Sequence, residues 1–211
     1  MSRSPSVPGG SEARDLRVCF VGDSFVAGVG DSEKLGWVGR VASRSDRAGQ
    51  TVSVYNLGVR LQTSSQVLAR WQAECAQRLP DGCDNRVVVS FGVNDTTWTG
   101  SASRVEPETS AANLASMLDD VLAAGWGTLV VGPLPISDPD HNLRTAMLDD
   151  AFARVCRDAG VEYVRVFEDL LGDETWMRQV EEGDGAHPAA QGYRRLADLV
   201  WPRWHAWILS P

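Results

Sequence analysis

Basic residues are in short supply: 20 Lys and Arg stand against 28 Asp and Glu, for a formal net charge of −8. A nucleic-acid binder needs a basic face to replace the counterions around phosphate, and a polybasic membrane anchor needs one too; neither class fits. No run of about 18 apolar residues occurs, so no helical membrane span is expected. The segment Met1–Asp15 is rich in Ser, Pro and Gly but lacks the apolar core of a secretory signal. It reads as a disordered tail ahead of one domain over residues 16–211, and the expected location is cytoplasmic. The four cysteines (Cys19, Cys75, Cys83 and Cys156) form no C-x-x-C pair, and none sits at zinc-like spacing from a histidine. Reduced thiols are expected; a Cys75–Cys83 bridge suits the sequence separation but has no other support. G-x-S-x-G, Walker A and H-E-x-x-H motifs are all missing, and the Gly28/Gly30 stretch lacks the third glycine of a dinucleotide fingerprint.

The chain has 211 residues, 43% of them hydrophobic, which suits one domain with a substantial core. Five apolar runs rich in β-branched residues read as strands: Leu16–Val21, Thr51–Asn56, Arg86–Phe91, Thr128–Val131 and Val161–Phe167. Four are nearly continuous in hydrophobicity, as strands buried on both faces of a parallel sheet must be. Helical patterns alternate with them over Trp37–Arg47, Ser64–Leu79, Glu108–Ala124 and Leu143–Ala159, and a last helix covers Ala189 to about Ile208. Pro107 opens the third helix and Gly125 closes it; Gly160 closes the fourth. The alternation predicts a three-layer α/β/α sandwich, in which ligands bind beyond the carboxyl ends of the strands.

The residues after those strands are Gly22-Asp23-Ser24-Phe25, Asn56-Leu57-Gly58, Gly92-Val93-Asn94-Asp95 and Gly132-Pro133-Leu134-Pro135; Asp184-Gly185-Ala186-His187-Pro188 precedes the last helix. A serine hydroxyl is a weak nucleophile and needs a base within reach. Only His141, His187 and His205 are available, and His187 follows Asp184 by three residues. That spacing lets a carboxylate orient one imidazole nitrogen while the other faces Ser24. The oxyanion formed on attack requires aimed donors. The N–H of Ser24, the N–H of Gly58 and the Asn94 amide are the donors at hand, with Gly58 read as allowing close approach of a substrate.

In order and spacing, Gly22-Asp23-Ser24, Gly58, Gly92-Val93-Asn94-Asp95 and Asp184-Gly185-Ala186-His187-Pro188 resemble blocks I, II, III and V of the SGNH (GDSL-type) hydrolase family. The resemblance implies a flavodoxin-like five-stranded parallel sheet of order 2-1-3-4-5 and ester or thioester hydrolysis without metal or cofactor. It implies Ser24 as nucleophile, His187 as base, Asp184 as its orienter, and Ser24, Gly58 and Asn94 as the oxyanion hole. Asp23 and Asp95 take supporting roles. Phe25 stands where many members carry Leu.

The substrate is expected to be a small-molecule acyl ester or thioester of short chain, with no nucleic-acid partner. An acyltransferase using the same triad, or an inactive binding module of the same fold, are the alternatives. Phe25, Trp98, Leu134, Ile136, Trp176 and Met177 are the expected apolar pocket walls, on loops 25–36, 96–106, 134–142 and 168–183. Asp138, Asp140 and His141 read as a solvated loop rather than a metal site, with Pro139 among them. Trp201, Trp204 and Trp207 share one helix face that packs on the core, with Pro202 as a kink or restart and His205 structural.

Overall fold

The computed structural model describes residues 14–49 and 51–210. The expected tail lies outside the described residues except for Arg14 and Asp15. Arg14 donates to the Ile208 and Ser210 carbonyls at 2.8 and 2.6 Å, and Asp15 pairs with Arg17.

The elements are β1 (Leu16–Gly22), α1 (Ser24–Ala27), α2 (Gly36–Arg47), β2 (Ser53–Gly58), α3 (Ser64–Ala76), β3 (Asp84–Ser90), α4 (Pro107–Ala123), β4 (Gly127–Val131), α5 (Pro139–Ala159), β5 (Glu162–Val164), α6 (Phe167–Leu171), α7 (Glu174–Glu182) and α8 (Ala190–Leu209). The five strands form one parallel sheet of order β2-β1-β3-β4-β5. Alternation along β1 explains the two cores: Val18 and Phe20 face α2, α7 and α8, while Cys19 and Val21 face α3, α4 and α5. Each large aliphatic or aromatic side chain taken fully from water contributes roughly 1.5–3 kcal/mol. Local signals set the helix ends. Thr63 and Gln66 form a capping box on α3, Pro107 opens α4, and Gly160 closes α5 in the left-handed conformation at φ 68°.

Several expectations change. The second strand is shifted to Ser53–Gly58, so Gly58 ends it rather than follows it, and the fifth shortens to Glu162–Val164. The stretch read as a loop from 168 to 183 holds α6 and α7, and α5 begins at Pro139, not Leu143. Asp138 caps α5 by accepting from the His141 N–H at 3.0 Å. His141 is therefore not on a solvated loop: the first turn of α5 carries it inward, and it is 4% exposed. α8 runs through Pro202 without a break; Trp204 is fully buried, while Trp201 and Trp207 pack half-buried against the same core. His205 stacks on Trp201 at 4.9 Å. The four cysteines are free thiols. No helix among the described residues is long and apolar enough to cross a membrane.

The sheet's register positions the chemistry. Gly22 stands level with Gly58 on one side and Ser90 on the other. β1 therefore releases the chain at the point where neighbouring connections depart in opposite directions, and Ser24 and Asn94 emerge into the crevice between them.

Candidate active site

Ser24 is the first residue of α1, a single turn that starts directly from β1. The turn is tight because Gly22 has no side chain: a Cβ there would lie 1.9 Å from the Ser90 carbonyl oxygen. Asp23, not Ser24, caps it, accepting from the Phe25 N–H at 3.0 Å. His187 arrives from the loop between α7 and α8. Gly185, at φ 80°, bends that loop, and its carbonyl accepts from the N–H and hydroxyl of Ser137 at 3.0 and 2.8 Å.

The predicted trio meets. His187 Nε2 lies 2.7 Å from Ser24 Oγ, and His187 Nδ1 lies 2.8 Å from Asp184 Oδ2. A carboxylate only accepts, so Nδ1 carries the proton, and Nε2 accepts from the serine hydroxyl. The other Asp184 oxygen accepts from the N–H groups of His187 and Ala186 at 2.8 and 3.0 Å. Partial burial opposes the charge on Asp184, but these backbone bonds and the imidazole outweigh it and hold the carboxyl down at about 2. The site therefore keeps an ionised orienter across the whole neutral range.

Behind His187 the site is closed by packing. The ring of Phe25 lies 4.8 Å from the imidazole and stacks on Trp176 at 6.3 Å. Trp176 donates to the Pro135 carbonyl at 3.1 Å, and Tyr193 donates to the Val29 carbonyl at 2.7 Å. Gly30 lies against His187 itself: a Cβ would come within 2.6 Å of the Pro188 carbonyl oxygen and 3.1 Å of His187 Cβ. The loop carrying Gly30 is tied down at Asp31, which accepts from Glu33, Leu35 and Gly36 N–H groups and pairs with Arg40 at 2.5 Å.

Asn94 sits across from Ser24. Its Nδ2 donates to Asp23 Oδ2 at 3.3 Å and to the Gln62 carbonyl at 3.1 Å. Burial drives the Asp23 carboxyl up to about 7, against the Phe25 N–H that favours its charge and with the nearby Asp95 adding to the rise. Asp95 is itself buried and raised, and it anchors the loop by accepting from the Ser64 N–H at 2.7 Å.

Gly58 is not placed as expected. Its N–H donates to Asn56 Oδ1 at 3.0 Å, and its missing Cβ makes room for Ala27 N, which would lie 2.2 Å away. The glycine serves the packing of α1 on β2, not the approach of a substrate. The loop beyond it holds a residue that pattern reading misses. Leu61 is 65% exposed in the left-handed region at φ 64°, a conformation that costs a branched side chain roughly 1–2 kcal/mol. Both neighbouring carbonyls are held, Leu61's by Arg104 at 3.0 Å and Gln62's by Asn94. No acceptor among the described residues takes the Leu61 N–H. A glycine would have flagged this position; leucine does not.

The expected pocket walls divide. Phe25, Leu134 and Trp176 are core residues with no free face, because the segment read as loop is helical and turns Trp176 inward. Ile136 and Met177 are half-buried. Met177 lines an apolar groove with Pro139, Leu143, Phe167 and Leu171, on the Ser137 side of the His187 loop. Trp98 is exposed on the turn after Asn94, with the Arg144 guanidinium 5.8 Å from its ring, and borders a shallow depression with Asp138, Asp140 and Leu143.

Residues 20–195 match the model of the GDSL-like lipase/acylhydrolase family. The chain belongs to that family. This GDSL-type ester hydrolase is 32% identical over 196 residues to Esterase TesA of Pseudomonas aeruginosa, covering 90% of this chain and 89% of that protein. The crystal structure of TesA superimposes with a TM-score of 0.72 at 29% identity, over 92% of this chain and all of that one. A lipase/acylhydrolase from Enterococcus faecalis (TM-score 0.75, 21% identity, 90% and 96% covered) and the acetylxylan esterase Axe2 of Geobacillus stearothermophilus (0.74, 18%, 94% and 96%) share the fold.

Proposed function

We propose that the chain hydrolyses carboxylic esters or thioesters of short acyl groups through an acyl-serine intermediate. The unbroken line from Ser24 Oγ through His187 to Asp184, at 2.7 and 2.8 Å, carries this reading. Ser24 Oγ attacks the carbonyl carbon as its proton passes to His187 Nε2. The carbonyl π electrons move to oxygen, giving a tetrahedral oxyanion. Collapse breaks the bond to the leaving alcohol or thiol, which takes the proton from Nε2. Water, deprotonated by the same nitrogen, then attacks the acyl-serine, and Ser24 is released with its proton restored. Asp184 stays charged throughout and stabilises the imidazolium.

The oxyanion donors in this reading are the N–H of Ser24, the amide of Asn94 and the N–H of Leu61. Gly58 is left out because its N–H is already engaged. An oxyanion replaces the longer of the two Asn94 bonds, the one to Asp23. Leu61 is favoured by its free N–H, its pinned flanks and its strained backbone, since strain of this kind collects at functional sites. The short-chain preference is supported by the wall on one side: Phe25, Trp176 and Tyr193, the aromatic residues packed behind His187, are buried and leave no space between them.

The test is a set of p-nitrophenyl esters and acyl thioesters graded by chain length, with Ser24→Ala and a serine-reactive phosphonate. Turnover should fall with chain length and vanish in Ser24→Ala, and intact mass should place one phosphonate on Ser24 of the wild type. A tenth or more of wild-type turnover in Ser24→Ala would sink the nucleophile assignment.

A further inference from the structure

His141 takes no part in the reaction just described, yet it is buried beneath the segment that carries Asn94. Its Nε2 lies 3.0 Å from the hydroxyl of Thr96, two residues beyond Asn94. The Thr96 hydroxyl lies 3.1 Å from the Val93 carbonyl and 2.8 Å from the Thr145 hydroxyl, which in turn reaches the His141 carbonyl at 3.1 Å. Arg144, one turn along α5, donates to the Thr96 carbonyl at 2.8 Å.

Thr96 has one hydroxyl proton and three neighbours. The Val93 carbonyl can only accept, so when Thr96 donates to it the imidazole supplies the N–H to Thr96 Oγ. Burial, first, and the nearby Arg144 guanidinium hold the imidazole below its ordinary range, so the ring that does this is neutral. A neutral donor can be desolvated here without leaving a buried charge unpaired. The opposite flank is held from α3, where the Ser64 N–H binds Asp95.

We infer that His141 is a positioning residue for the oxyanion hole: from α5 it holds the Val93–Thr96 segment so that the Asn94 amide faces the carbonyl attacked by Ser24. This rests on the proposed acyl-serine chemistry. It assigns the first two turns of α5, which carry His141 and Arg144, a part in the reaction that acts through Asn94. A donor displaced by a fraction of an ångström loses its match to the oxyanion far more than to the ground-state carbonyl, so the loss falls on kcat.

The experiment uses p-nitrophenyl acetate and four variants of the full chain. His141→Leu removes the ring donor, and Thr96→Val removes the hydroxyl through which it acts. His141→Gln keeps an N–H at similar reach, and Asn94→Ala provides the background. A remote misplacement of about 1 Å can cost up to ~10²-fold in rate, and a smaller shift is expected here. His141→Leu and Thr96→Val should each lower kcat by about tenfold with KM within about twofold. His141→Gln should recover at least half of the wild-type kcat. In the Asn94→Ala background, His141→Leu should cost less than about twofold more, since the residue it positions is gone. The same tenfold loss in both backgrounds would overturn the inference, as would near-normal kcat in Thr96→Val. If His141→Leu does not fold, Thr96→Val and its double variant with Asn94→Ala decide alone. Turnover in Ser24→Ala would instead overturn the underlying reaction, so the two failures are distinct.

Discussion

Asp23→Asn isolates the buried carboxyl next to the nucleophile. In the folded chain this group is raised from 3.8 to about 7, chiefly by burial. Each tenfold change in proton affinity is about 1.4 kcal/mol, so the fully ionised group costs the fold ~4 kcal/mol. The direction follows from proton binding. Between about pH 4 and pH 7 the unfolded chain has released this proton and the folded chain still holds it, so stability falls as pH rises. The cost is about 2 kcal/mol at pH 5 and about 4 kcal/mol at pH 8. Asparagine has no such titration. It keeps an oxygen for the Phe25 N–H but loses one acceptor for Asn94, a penalty of about 1 kcal/mol that does not vary with pH. Urea unfolding of wild type and variant at pH 5 and pH 8 cancels that constant term. The difference between the two proteins should shift by about 2–3 kcal/mol in favour of the variant at pH 8. A shift below about 0.5 kcal/mol would refute the reasoning and show that Asp23 ionises like an ordinary carboxylate.

Other expectations are simpler. Asn94→Ala should lower kcat by about 10²–10³-fold with little change in KM, and Asn94→Asp should be at least as damaging, because an ionised acid cannot donate; a kcat within threefold of wild type, per folded molecule, would remove Asn94 from the oxyanion hole. His187→Ala should cost nearly as much as Ser24→Ala, and the double variant little more, since triad members act as a unit; multiplicative losses in steady-state rates would show the pairing to be wrong. Arg40→Met should destabilise by about 3–5 kcal/mol in denaturant titration, because it strands the carboxylate of Asp31, which is 0% exposed, among three N–H donors and no cation. An effect below about 1 kcal/mol would mean the backbone donors alone suffice.

The sheet was legible because continuous apolar runs such as Val87–Val89 have no polar face to expose and must lie inside an α/β sandwich. Ser24, Asp184 and His187 were legible because their backbone setting is local: a strand end, a glycine and a short i,i+3 spacing. α7 escapes pattern reading because Glu174–Glu182 is mostly charged or polar, and only Trp176 and Val180, four apart, mark its buried face. That same misreading placed Trp176 in a pocket. His141 and Leu61 were illegible for different reasons. Burial of His141 depends on a helix beginning at Pro139, and a left-handed leucine leaves no trace in composition, because tertiary bonds rather than the residue hold its backbone.

The solid stack of Phe25, Trp176 and Tyr193, together with Gly30 against His187, makes the catalytic crevice one-sided. An engineer seeking room for a bulkier substrate gains nothing there: trimming the stack opens a cavity in the core, and a side chain at Gly30 meets the Pro188 carbonyl and His187. The tunable rim is the turn at 97–104 with its exposed Trp98. Divergence in substrate preference among chains built this way should therefore accumulate along that rim while the aromatic side stays fixed.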